Sequence, residues 1–167
     1  MDQINGEKYF TFIAKELPQR MSEFFNVSPN REDHYIAGNS MGGYGALKIA
    51  LRENTTFGTA AGLSSVANIR TERWKAHLEH QLGKENYISD EEDLFALTTK
   101  HETTPTKPRL YMCCGTEDWL YQDNIRLRDH IAKLDYDYTY VEGPGTHCWE
   151  YWDDLIQNVL EWMFANK

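Results

Sequence analysis

An α/β fold, with a mostly parallel sheet and helices on both faces, is what this sequence predicts. Three observations carry that expectation. Short apolar runs alternate with longer segments whose apolar residues recur at steps of three and four. The short runs end at glycine or at Pro-Gly clusters, as strands do. The chain has 167 residues, a length that fits one domain and not two. Alternating strands and helices imply parallel pairing, because each helix carries the chain back across the sheet.

The elements follow in order. Residues 7–25 read as an amphipathic helix, with Tyr9, Ile13, Leu17, Met21 and Phe24 on one stripe. Pro18 lies inside that helix and predicts a kink, since it has no N–H to donate. Residues 26–33 are polar, include Ser28-Pro29-Asn30, and read as a loop. His34 to Gly38 is a short strand, and residues 41–52 turn helical. A second short run, Phe57 to Leu63, is rich in small residues. Residues 64–108 are polar, contain a helix candidate at 70–82 and end in Thr-Thr-Pro-Thr-Lys-Pro. They read as an insertion over one end of a single domain spanning 1–167. Residues 109–114 form a buried strand stopped by Gly115. Residues 119–134 are an amphipathic helix with Leu120, Ile125, Leu127 and Ile131 near one face. Residues 138–141 are a strand stopped by Gly143-Pro144-Gly145, and 151–164 close the chain as a helix.

Composition narrows the function classes. The chain is 41% hydrophobic and 26% charged, and its five Trp, ten Tyr and seven Phe exclude a disordered chain. Its net charge of −9 repels phosphate backbones and anionic membranes, so neither nucleic acid nor membrane is an expected partner. No apolar run approaches the roughly 18 residues of a membrane span. Cys113 and Cys114 are adjacent and Cys148 is the third cysteine. That pattern fits neither a disulfide framework nor a zinc site, so reduced thiols are expected. Polar residues follow Met1, with no apolar signal segment, and a cytoplasmic location is the expectation.

The chemistry centres on Gly38-Asn39-Ser40-Met41-Gly42, a G-x-S-x-G motif at a strand-to-helix junction. A sharp turn there lifts the Ser40 hydroxyl clear of the sheet. Side chains at 38 and 42 are expected to collide in so tight a turn, hence two glycines. The following helix aims its N-terminus at the reacting centre, and the N–H of Met41 is a candidate oxyanion donor. A serine nucleophile needs a base, and the base needs an orienting acid. Asp118 and His147 both follow predicted strands, at the carboxyl ends where ligands of open α/β sheets bind. Glu117 is the rival acid. Asp118 also suits the N-cap of the following helix. His77 and His80 read as a solvated helix face, with no third metal ligand at telling spacing. Cys148 lacks an elbow of its own and reads as a small buried residue.

Three segments carry a family resemblance: Gly38 to Leu51, Cys114 to Tyr121, and Gly145 to Trp152. They resemble the bacterial tributyrin-esterase type of α/β-hydrolase, a group that includes S-formylglutathione hydrolases, feruloyl and acetyl-xylan esterases, and mycolyltransferases. The resemblance implies Ser40 as nucleophile, Asp118 as acid, His147 as base and no metal or organic cofactor. It implies a carboxylesterase acting on small-molecule esters with short acyl chains. An acyltransferase and a non-catalytic, hydrolase-like binding domain are the alternatives. Members of that group are longer. The resemblance therefore implies the C-terminal portion of the fold, without the N-terminal loop that gives the second oxyanion donor. The strand before Ser40 then becomes an edge, expected to pair with a second copy or a second chain.

Overall fold

The computed structural model describes residues 2–3, 6–74, 77–78 and 88–165. Four strands form one parallel sheet in the order β1 (Tyr35–Asn39), β2 (Thr59–Leu63), β3 (Arg109–Gly115) and β4 (Tyr138–Gly143). The helical segments are α1 (Tyr9–Thr11), a π-helical turn (Phe12–Glu16), α2 (Leu17–Phe24), α3 (Met41–Arg52), α4 (Leu94–Lys100), α5 (Tyr121–Ile131) and α6 (Trp149–Phe164).

Strand alternation divides the core in two. Ala60, Leu110 and Met112 point to one face, where α3, α4 and α5 cover them with Leu47, Leu51, Leu97, Leu127 and Ile131. Ala61, Leu63, Tyr111 and Cys113 point to the other, covered by Trp152, Leu155, Val159 and Met163 of α6. Each crossover helix thus finds its face from a period of two in the strands and a period near 3.6 in the helices.

The opening helical arm differs from its reading in sequence. Its stripe of Tyr9, Ile13, Leu17, Met21 and Phe24 is exposed, and Phe10 and Ala14 are the buried residues. The reason is what the arm packs on. Phe10 lies under the Lys48 ammonium and the Arg52 guanidinium of α3, at 5.3 and 4.2 Å from its ring centre. Ile13, Leu17 and Met21 of that stripe instead face β1, one of the two edge strands among the described residues. Ala37, midway along β1, is exposed. A groove of about 620 Å³ runs between Ile13, Leu17 and Met21 on one side and Tyr35, Ile36 and Phe57 on the other. Pro18 lies inside one continuous helical arm, since Thr11, Phe12, Glu16 and Leu17 all keep α-helical torsions, and it follows directly on the π-helical turn in which the Leu17 N–H bonds the Phe12 carbonyl.

The segment 64–108 also departs from its reading. The helix candidate at 70–82 is helical at 72–74 and 77–78; its remaining positions include residues outside the described ones. Sequence reasoning passed over α4. Asp93 caps it by accepting the Phe95 N–H at 2.9 Å, and Leu94 and Leu97 enter the core. Part of this segment is therefore core, not cover.

The 3₁₀ turn Asp90–Glu92 just before α4 closes a partly buried ion cluster. Lys48 is fully buried, and its Nζ lies 2.6 Å from Glu92 Oε2. Arg52 reaches Glu92 Oε1 at 3.1 Å, and the Tyr44 hydroxyl donates to the Glu92 carbonyl at 2.7 Å. Burial pushes the Lys48 ammonium below its usual pKa range, and Glu92 opposes that shift. Replacing Glu92 by Ala leaves Lys48 buried without its anion. The expected loss is about 3–5 kcal/mol, read from the denaturant midpoint, with most of it recovered when Lys48→Met is added.

Candidate active site

The Ser40 backbone makes the turn from β1 into α3. Its φ of 53° and ψ of −119° lie where side-chain-bearing residues are strained. Three backbone bonds hold it there. Its N–H donates to the Leu63 carbonyl at 2.8 Å, and its carbonyl accepts from Val66 at 3.1 Å and Tyr44 at 3.2 Å. Gly38 is glycine for a steric reason: a Cβ there would collide with the carbonyl group of Gly42. Gly42 itself is a correction to the sequence reading. A Cβ at 42 would meet nothing nearer than Asn39 Oδ1 at 3.9 Å, which is ordinary contact. The turn is tight around position 38, and position 42 supplies only the backbone it abuts.

Asp118 and His147 arrive from the ends of β3 and β4. His147 Nδ1 lies 2.8 Å from Asp118 Oδ2, and His147 Nε2 lies 2.9 Å from Ser40 Oγ. The three side chains that were separate in sequence therefore form one line. The arrangement suits a neutral imidazole whose Nδ1–H donates to the carboxylate while Nε2 accepts from the hydroxyl. The Asp118 side chain is wholly buried. Its Oδ1 accepts the Leu120 N–H at 2.8 Å, so the residue both faces the histidine and shapes the start of α5. Glu117 turns the other way. Its carboxylate accepts the N–H of Gly145, and its own N–H donates to the Gly145 carbonyl at 3.0 Å, bracing the loop that carries His147. Met41 opens α3, so its N–H belongs to the first turn, where no helical acceptor exists.

Two aromatic contacts were not anticipated. The His147 ring lies 4.9 Å from Trp119 and meets Trp152 edge-on at 4.8 Å, centre to centre. The signal was present as tryptophans one residue after Asp118 and five after His147. Trp119 is 47% exposed and Trp149 74%, so indoles rim the mouth of the site. The Arg73 guanidinium lies 4.4 Å above the Trp119 ring. His77 is exposed beside Trp74, His80 lies outside the described residues, and no group of three metal-ligand side chains occurs among the described ones. Cys148 is half-buried, not buried, while Cys113 and Cys114 are fully enclosed; all three are free.

A parallel α/β sheet with a serine on the strand-to-helix turn and its partners on later strand ends defines the α/β-hydrolase class of fold. The chain belongs to the Esterase family, whose sequence profile matches residues 3–163. It is 32% identical to an acetyl esterase of Caldicellulosiruptor saccharolyticus over 98% of this chain and 66% of that protein. Among solved structures it resembles FphF, a fluorophosphonate-binding serine hydrolase of Staphylococcus aureus, at 32% identity and a TM-score of 0.84, over 98% of this chain and 66% of that one. It also resembles the S-formylglutathione hydrolase FrmB of the same organism, at 32% identity and a TM-score of 0.81, covering 95% and 65%. The chain thus spans about two thirds of the length of these relatives.

Two substitutions separate the roles of the glycines. Gly38→Ala is expected to destabilise by about 1–3 kcal/mol, through overpacking against the Gly42 carbonyl. Gly42→Ala is expected to be neutral or to stabilise by up to about 1 kcal/mol, since position 42 lies in the first turn of α3 and the added methyl meets no close neighbour. Thermal melts of the two variants check both. The thiols give a third test. Burial pushes Cys113 and Cys114 up to about 12, so both stay protonated at neutral pH. Iodoacetamide is expected to modify Cys148 alone in the folded protein, read by peptide mass spectrometry.

Proposed function

We propose that this chain carries the catalytic centre of a serine carboxylesterase that hydrolyses short-chain acyl esters through an acyl-enzyme on Ser40. The observation that carries the proposal is the unbroken line from Ser40 Oγ to His147 to Asp118, at 2.9 and 2.8 Å. His147 Nε2 takes the hydroxyl proton as Ser40 Oγ attacks the ester carbonyl. Asp118 holds the ring in the required tautomer and stabilises the imidazolium that forms. The oxyanion develops against the N–H of Met41 and the N-terminal dipole of α3. Collapse of the tetrahedral intermediate breaks the bond to the alkoxy group, which leaves with the proton from His147. Water, deprotonated by the same nitrogen, then attacks the acyl carbonyl and frees Ser40. Every proton in this sequence passes through Nε2.

The activities of the relatives support the class. One is an acetyl esterase and another binds fluorophosphonates, reagents that phosphonylate an activated serine. A short acyl group is the simplest substrate consistent with the acetyl esterase. Transfer of the acyl group to an alcohol or thiol acceptor uses the same first half-reaction and differs only in what attacks second.

A fluorophosphonate is expected to label Ser40 and no other serine, as mapped by mass spectrometry. Ser40→Ala or His147→Ala is expected to lower kcat by on the order of 10⁶, and Asp118→Asn by about 10⁴. With p-nitrophenyl esters, kcat/KM is expected to be higher for C2 to C4 chains than for C12. Labelling elsewhere, or activity that survives Ser40→Ala, overturns the assignment. Full labelling without turnover identifies a binding domain that keeps the reactive serine.

A further inference from the structure

Asn124 occupies a place in α5 that the helix period reserves for an apolar residue. Leu120, Leu127 and Ile131 are buried on the same face, and Asn124 is 1% exposed among them. Ile125, expected on that face from sequence, is only half-buried. A leucine would fill the stripe without a polar group to satisfy. The Asn124 amide oxygen has no hydrogen-bond partner among the described residues, an arrangement that disfavours asparagine here. Both hydrogens of its Nδ2 are nevertheless used. One goes to the Ser65 carbonyl at 2.9 Å, the other to the Leu120 carbonyl at 2.9 Å.

Those two acceptors lead to the two ends of the catalytic line. The Ser65 carbonyl and the Val66 N–H belong to one planar peptide group. Asn124 donates to its oxygen, and its N–H donates to the Ser40 carbonyl at 3.1 Å. Leu120, on the other side, donates its N–H to Asp118 Oδ1 at 2.8 Å. Hydrogen bonds, together with the Leu120 backbone and the Ser65–Val66 peptide, therefore link the Asp118 loop to the backbone of the Ser40 turn by a route that does not include the histidine. A donor on the Ser65 carbonyl polarises that peptide and strengthens the bond its N–H makes to Ser40.

We propose that Asn124 is a positioning residue for the esterase reaction: through the Ser65–Val66 peptide and the Asp118 loop, it fixes the spacing between the nucleophile and the acid. This rests on the reading of Ser40, His147 and Asp118 given above. Asn124 touches no substrate. It acts by holding the strained Ser40 turn and the Asp118 loop to one another while His147, bonded to both, takes up and returns protons at Nε2.

Two substitutions test the proposal. Asn124→Leu keeps the volume and removes both donors. Asn124→Ser leaves a hydroxyl that can reach back to the Leu120 carbonyl one turn earlier but falls short of Ser65, so it breaks the bridge alone. With p-nitrophenyl acetate, at a temperature where circular dichroism shows the variant folded, kcat is expected to fall by about 10- to 100-fold with KM nearly unchanged. Amide hydrogen exchange at Val66 is expected to rise at least about tenfold, while the core amide of Met112 in β3 stays protected. The exchange arm needs no turnover, so it stands even where wild-type Ser40 takes no fluorophosphonate, a result that counts against the esterase reading instead. A lower melting temperature with kcat and Val66 exchange unchanged overturns the proposal, as does an equal rise in exchange at Val66 and Met112. If Asn124→Leu does not fold, Asn124→Ser alone decides between these outcomes.

Discussion

The turn at Ser40 is the constraint around which the described part of the molecule is arranged. A serine held at positive φ between a strand and a helix is intrinsically unfavourable by about 1–3 kcal/mol. It persists because its surroundings leave no alternative. Gly38 lets the backbone of α3 approach β1, and Leu63, Val66 and Tyr44 occupy its backbone hydrogen-bonding groups. α3 is then clamped along its length by Phe10, by Glu92 through Lys48 and Arg52, and by the strands it crosses. Strain at one residue is thus supported by packing that extends across the whole first face of the sheet.

The site sets an enclosed carboxylate beside a half-buried imidazole. Asp118 is enclosed and fully bonded, with one oxygen to His147 and the other to Leu120. An enclosed carboxylate without such partners would be strongly disfavoured. His147 is held by that bond and by two indole rings, which limit how far the imidazole can turn. Glu117, one residue away, serves the histidine loop and not the histidine. Adjacent side chains after a strand diverge, and here the divergence assigns the two acids separate work.

Much of this was legible in the sequence. All four strands, α3, α5 and α6 follow from apolar runs and periods, and β2 and β3, buried nearly throughout, leave the plainest pattern. Ser40, Asp118 and His147 were legible because each follows a strand, and topology brings the carboxyl ends of parallel strands together. The misreadings have physical causes. The stripe on the opening helix is apolar at helical spacing, but period alone does not say which surface it meets, and its Ile13, Leu17 and Met21 face the open side of β1. α4 hid inside a polar segment because seven residues give too short a period to register. Asn124 was invisible because an asparagine in a helix reads as solvent-facing until its neighbours are known.

The line of three side chains also says something about how the chain must fold. Ser40 and His147 are 107 residues apart, and His147 and Asp118 are 29 apart. Each follows a different strand, and no contiguous stretch of the chain holds the three side chains together. Pairings between residues so distant in sequence form late and slowly, after several loops have closed. A partly collapsed chain can possess each strand and helix and still have no aligned hydroxyl. The alignment of Ser40 with His147 is therefore a readout of completed topology, and it should form on refolding only after helical signal has returned.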